Sequence, residues 1–103
     1  MTHARRAAAR IAVVESADDA AGEAALGADI VVFVADAGGT LDRARTVRIA
    51  ENARERGTLV AAIVVDSDRR IGSALLETLR DAADMVVIVR ERADAEAVIA
   101  ALR

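Results

Sequence analysis

A chain of 103 residues with 14 basic and 17 acidic side chains, net charge −3, has room for one domain with a single modest core. It contains no cysteine, which excludes disulfides and thiolate metal sites, and no apolar run long enough for a membrane span. The acidic balance excludes a strongly basic, non-specific nucleic-acid binder, so any such contact must come from local arginine clusters.

The apolar share of 54% and charged share of 30% are those of a globular chain rather than a disordered one. All the basic residues are arginine and alanine fills about a quarter of the chain, a bias read as GC-rich coding. The arginines near the start are not followed by a signal-type apolar segment, so a cytoplasmic protein with no membrane contact is expected.

Residues 1–9 read as a flexible arm, and residues 10–103 as one α/β domain. The single histidine, His3, belongs to the arm. Ile11-Ala12-Val13-Val14 is a short apolar run ended by Glu15, and is read as the first strand. Ser16-Ala17-Asp18-Asp19 has a capping-box layout with Asp in the Glu position, opening an alanine-rich helix to Leu26 with Gly27 as its C-cap. The competing reading is one long helix from Ala4 to Leu26, which the non-helical spacing of Ile11 to Val14 disfavours.

Asp29 to Val34 is the second strand, and Asp36-Ala37-Gly38-Gly39-Thr40 a loop. A helix from Leu41 to Arg56 places Thr46, Ile49, Ala50 and Ala53 on one stripe, with Gly57 after it. Leu59 to Val65 is uninterrupted and β-branched, a strand buried on both faces. A helix from about Arg69 to Ala83 buries Ile71, Leu75, Leu79 and Ala82. Met85 to Val89 is the fourth strand. Asp94 caps a last helix with Ala95, Val98, Ile99 and Leu102 inward.

Strands alternating with helices over short connections require a parallel sheet with right-handed crossovers. The expected fold is therefore a four-stranded parallel sheet with helices on both faces, Rossmann-like, in the order 2-1-3-4. In such sheets ligands gather at the carboxyl ends of the strands. There the chain supplies Glu15, Asp36, and the pair Asp66 and Asp68. With strands one and three adjacent, Glu15 would face Asp66 and Asp68. Three carboxylates that close require a cation. Mg²⁺ (or Mn²⁺) is the natural one, provided the carboxylates stand within about 6–8 Å of each other. Arg69 and Arg70 are then placed for phosphate oxygens. The bland alternative is that Asp66, Ser67 and Asp68 cap the following helix and Glu15 is a solvated strand end.

The order Val13-Val14-Glu15-Ser16-Ala17-Asp18-Asp19, then some fifty residues, then Val64-Val65-Asp66-Ser67-Asp68-Arg69-Arg70-Ile71-Gly72, resembles the Toprim domain. That family is shared by primases, topoisomerases and small nucleases. The resemblance runs from about residue 10 to residue 100 and includes Gly38-Gly39-Thr40 and Arg90-Glu91-Arg92-Ala93-Asp94. It implies catalytic and metal-binding roles for Glu15, Asp66 and Asp68, with Asp19 and Asp36 behind them. It also implies Mg²⁺-dependent action on nucleic-acid phosphodiesters, as a nuclease or nucleotidyl transferase. So small an edge would need a second subunit, a copy of the chain or another protein, to hold DNA or RNA. The departures are Ser16 in place of the usual glycine, one extra residue before Gly72 and the lack of lysine. The lack of tyrosine excludes a tyrosyl transesterification by this chain.

A second resemblance joins Gly27 to Val34, Gly38-Gly39-Thr40, Glu55 to Val60 and Asp84 to Val89 to the middle of the FtsZ/tubulin GTPase domain. It implies a glycine loop cradling phosphates at a helix N-terminus, although Asp42 would repel a phosphate there. A third reading is a non-catalytic α/β binding or assembly module. Its composition, free of proline, tyrosine and lysine, also fits an engineered minimal domain.

Overall fold

The computed structural model describes residues 9–15, 27–38, 42–67 and 71–102. Its elements are β1 (Ile11–Glu15), β2 (Ile30–Asp36), α1 (Arg43–Glu55), β3 (Leu59–Val65), α2 (Ser73–Ala82), β4 (Met85–Val89) and α3 (Arg92–Leu102). The four strands form one all-parallel sheet, so the chain is an α/β protein as its alternating pattern requires.

The strand order is β1-β2-β3-β4, which corrects the expected 2-1-3-4. The reason lies in which strands can tolerate an edge. Both β2 and β3 are seven residues long, and Val31 to Ala35 and Val60 to Val65 are all buried. Strands apolar on both faces need a neighbour on each side and cover above and below. By contrast β1 has five residues and alternates: Ala12 and Val14 are buried, Val13 and Glu15 exposed. That is an edge pattern. Backbone bonds hold β1 to β2 at its start: the Arg10 carbonyl accepts the Asp29 and Ile30 N–H groups at 2.8 and 3.2 Å. Strand formation over Ile11–Glu15 also removes the alternative of a single helix from Ala4 to Leu26. The helix expected to end at Leu26, and most of the N-terminal arm, lie outside the described residues.

Two cores sandwich the sheet. On one face Ala12, Val14, Val31, Phe33, Val60 and Val64 pack against Ile49, Ala50 and Ala53 of α1 and Leu75, Leu79 and Ala82 of α2. Right-handed crossovers β2-α1-β3 and β3-α2-β4 step in one direction, so both helices fall on the same face. On the other face Val32, Val34, Ala61, Ile63 and Val65 meet Ala95, Val98, Ile99 and Leu102 of α3. The helical stripe Thr46, Ile49, Ala50, Ala53 is buried as its spacing requires.

Boundaries shift where capping decides them. Helix α1 starts at Arg43 rather than Leu41, because the Asp42 side chain accepts the Arg45 N–H at 3.1 Å. It ends in a Schellman motif. Gly57 (φ 74°) donates its N–H to the Arg54 carbonyl at 2.9 Å and Thr58 to the Ala53 carbonyl at 2.9 Å. Helix α2 starts at Ser73 rather than Arg69, with Gly72 as its uncapped N-terminus. Asp66 and Ser67 therefore do not cap it. Helix α3 opens at Arg92, which leaves Asp94 inside the first turn.

Candidate functional site at the carboxyl ends of the strands

The carboxyl ends of β2 and β3 stand side by side. Asp36 is level with Val65, and the Ala37 N–H donates to the Val65 carbonyl at 2.9 Å. One step on, the Asp66 N–H donates to the Val89 carbonyl at 2.7 Å, carrying the ladder past the end of β3. Asp66 is 8% exposed, a carboxylate buried at the end of a central strand. Asp36 is exposed and shares the α3 face of the sheet with Val32 and Val34. Because successive strand residues alternate faces, Asp66, which follows Val65 of that same face, leaves β3 toward the opposite side.

Glu15 is not adjacent to Asp66. Strand β2 lies between β1 and β3, and the register sets Glu15 level with Val34, hence with Ile63, three residues short of Asp66. With strands about 4.8 Å apart and about 3.3 Å per residue, their Cα atoms are separated by roughly 14 Å. The Glu15 carboxylate is instead ion-paired with the Arg92 guanidinium at the start of α3, each side chain about half exposed. This pair links the outer edge of the sheet to the helix that covers its second face.

The expected adjacency of Glu15 and Asp66 around one Mg²⁺ is therefore absent, because β2 lies between their strands. Among the described residues no group of three His, Asp or Glu side chains could hold a metal ion. Asp68, Arg69 and Arg70, and also Asp19, lie outside the described residues. Asp42 is committed to capping α1, and so to an N–H that a phosphate cradled at that helix terminus would require.

Two aspartates that the sequence reading passed over serve the fold at the opposite rim. Each immediately precedes a strand, in Ala28-Asp29-Ile30 and Ala83-Asp84-Met85. Asp29 Oδ2 accepts the Arg10 N–H at 2.8 Å, and Asp84 Oδ2 accepts the Val60 N–H at 3.2 Å. Each carboxylate thus satisfies a backbone donor at the start of a neighbouring strand, Arg10 just before β1 and Val60 in β3. Their signal in the sequence was the recurring Ala-Asp before an apolar run. Asp84 is also 3.3 Å from Arg54, and Asp81 is ion-paired with Arg43 at 2.6 Å, which fastens α1 to the far end of α2. Among the described residues no buried side-chain polar atom lacks a partner, and no helix is long and apolar enough to cross a membrane.

Comparison with protein-family models, with curated proteins and with solved structures gives no match to this chain.

Proposed function

We propose that this chain is a non-catalytic α/β binding and assembly module. The observation that carries the reading is the interposition of β2 between the strands that bear Glu15 and Asp66. It separates the carboxylates on which metal-assisted phosphodiester chemistry would depend. The engagement of Glu15 by Arg92 and of Asp42 by the α1 cap adds support, since both acids then serve the fold. The test is direct. Labelled single- and double-stranded DNA and RNA are incubated with the purified chain and Mg²⁺ or Mn²⁺, alongside Asp66→Asn. No divalent-dependent cleavage or extension is expected from either protein. Metal-dependent turnover that disappears in Asp66→Asn would sink the reading.

One observation favours a second reading. Asp66 is buried at the carboxyl end of a central strand, where α/β sheets collect ligands. Under that reading Asp66 and Asp68 would hold Mg²⁺ or Mn²⁺, and Arg69 and Arg70 would meet the phosphates of a nucleic acid. The bound ion would supply charge neutralisation at a phosphodiester. Calorimetric titration with Mg²⁺ separates the two readings independently of turnover. The second needs saturable binding that weakens in Asp66→Asn.

A further inference from the structure

Among the described residues β4 is an edge strand, and its own sequence carries neither of the usual blunting residues, a charge or a proline. Met85-Val86-Val87-Ile88-Val89 contains no charge and no proline, and Met85 and Ile88 are 45% and 54% exposed. Among the described residues only β3 lies beside it. The Val89 carbonyl points at β3, where it accepts the Asp66 N–H, so by alternation Val86 and Ile88 turn their backbone groups to the open side.

We infer that β4 pairs antiparallel with β4 of a second copy of this chain, across a two-fold axis at Val87. This names the partner for the assembly reading and rests on it. In that register Val86 lies opposite Ile88 of the other copy, so the outward-facing residues exchange both backbone bonds. Met85 meets Val89, and the half-exposed Ile88 is covered. The flanking charges select this register over its neighbours. Asp84 falls opposite Arg90 of the other copy, and the symmetry repeats the pair at the other end of the strand. Arg90 is exposed, and Asp84 keeps about half of its side-chain surface open while holding Arg54 and the Val60 N–H. A shift by one residue in either strand removes that match. Joining β4 to β1 of the next copy would instead be head-to-tail and open-ended, a route to fibres rather than to a closed pair.

Sedimentation equilibrium over a wide concentration range tests this with the full chain. A concentration-dependent dimer is expected. Ile88→Lys, at a position exposed in the monomer, should be monomeric with an unchanged circular dichroism spectrum. Arg90→Glu sets one carboxylate against another at both ends of the paired strands and should weaken the dimer by roughly tenfold or more. Asp84→Arg should do the same by setting two arginines together. Mixing Arg90→Glu with Asp84→Arg restores an attractive pair at each end, so a heterodimer should form where neither variant dimerises alone. Should Asp84→Arg fail to fold, Arg90→Glu and Ile88→Lys still decide the matter. A wild-type chain that stays monomeric to millimolar concentration, or a dimer indifferent to both Ile88→Lys and Arg90→Glu, overturns the inference. Either result leaves the assembly reading to its own test, the search for metal-dependent turnover. Turnover in a chain that dimerises through β4 would sink that reading and not this one.

Discussion

Glu15 illustrates how a single side chain is assigned by its neighbours. As the last residue of an apolar strand it has the position of a ligand, but Arg92 occupies its carboxylate. Both partners are about half exposed, and exposed pairs of this kind contribute about 0–1 kcal/mol. Glu15→Gln is therefore expected to lower unfolding stability by less than about 1 kcal/mol, with the difference shrinking at high salt. Urea denaturation at low and high ionic strength measures both. A loss of several kcal/mol would mean that Glu15 holds something beyond Arg92. Asp42, Asp29 and Asp84 follow the same logic, since each carboxylate accepts a backbone N–H that would otherwise go unpaired. The sequence places Asp42 inside a helix from Leu41, and only the structure shows it as the N-cap of α1. No local signal shows that Arg92 reaches across to Glu15, because that pairing joins the chain's first strand to its last helix.

At the level of elements, the sequence is most informative where burial has a period. The α1 stripe and the apolar runs of β2 and β3 appear in the structure much as their spacing requires. Termini depart from expectation where local hydrogen bonds compete. Asp36 extends β2 because its level partner Val65 continues β3, and α2 loses its first four expected residues to the segment before Ser73. The end of α1 depends on Gly57, whose φ of 74° a side chain tolerates poorly. An added Cβ would meet nothing within 4 Å, so the cost of Gly57→Ala is conformational rather than steric. It is expected to destabilise by roughly 1–2 kcal/mol, as read from the shift of the urea midpoint at unchanged slope. A neutral substitution would show that the Schellman turn is not maintained in solution.

For the whole molecule, strand order is the decisive quantity, and it sets the pattern of local stability. In the order β1-β2-β3-β4 the two central strands are β2 and β3, buried above and below by two cores. Their amides open only with extensive unfolding, whereas edge strands exchange through smaller openings. Native-state hydrogen exchange is expected to give the greatest protection to Val31–Ala35 and Val60–Val65, with Ala12–Val14 markedly faster. The order 2-1-3-4 would reverse the ranking of β1 and β2. Slow exchange in β1 with fast exchange in β2 would therefore overturn the topology and restore the adjacency of Glu15 and Asp66. The same order leaves β4 as an open edge, which is the feature that the proposed dimer uses.

Local pattern was enough to specify the class of this protein: apolar runs too continuous for one-sided sheets, alternating with helical stripes, admit only a parallel α/β layer structure. It was enough, too, to specify which side chains fill the cores, because burial follows the period of each element. Which strands are neighbours, and with that which acids can meet, emerged only once the chain was folded. The physical reason is range. Periodicity, caps and turns act within a few residues, whereas strand order is a global choice that places the two longest, doubly buried strands at the centre and leaves the short, alternating one outside. A shared centre for Glu15 and Asp66 depended on that global choice, and the interposed β2 keeps them apart.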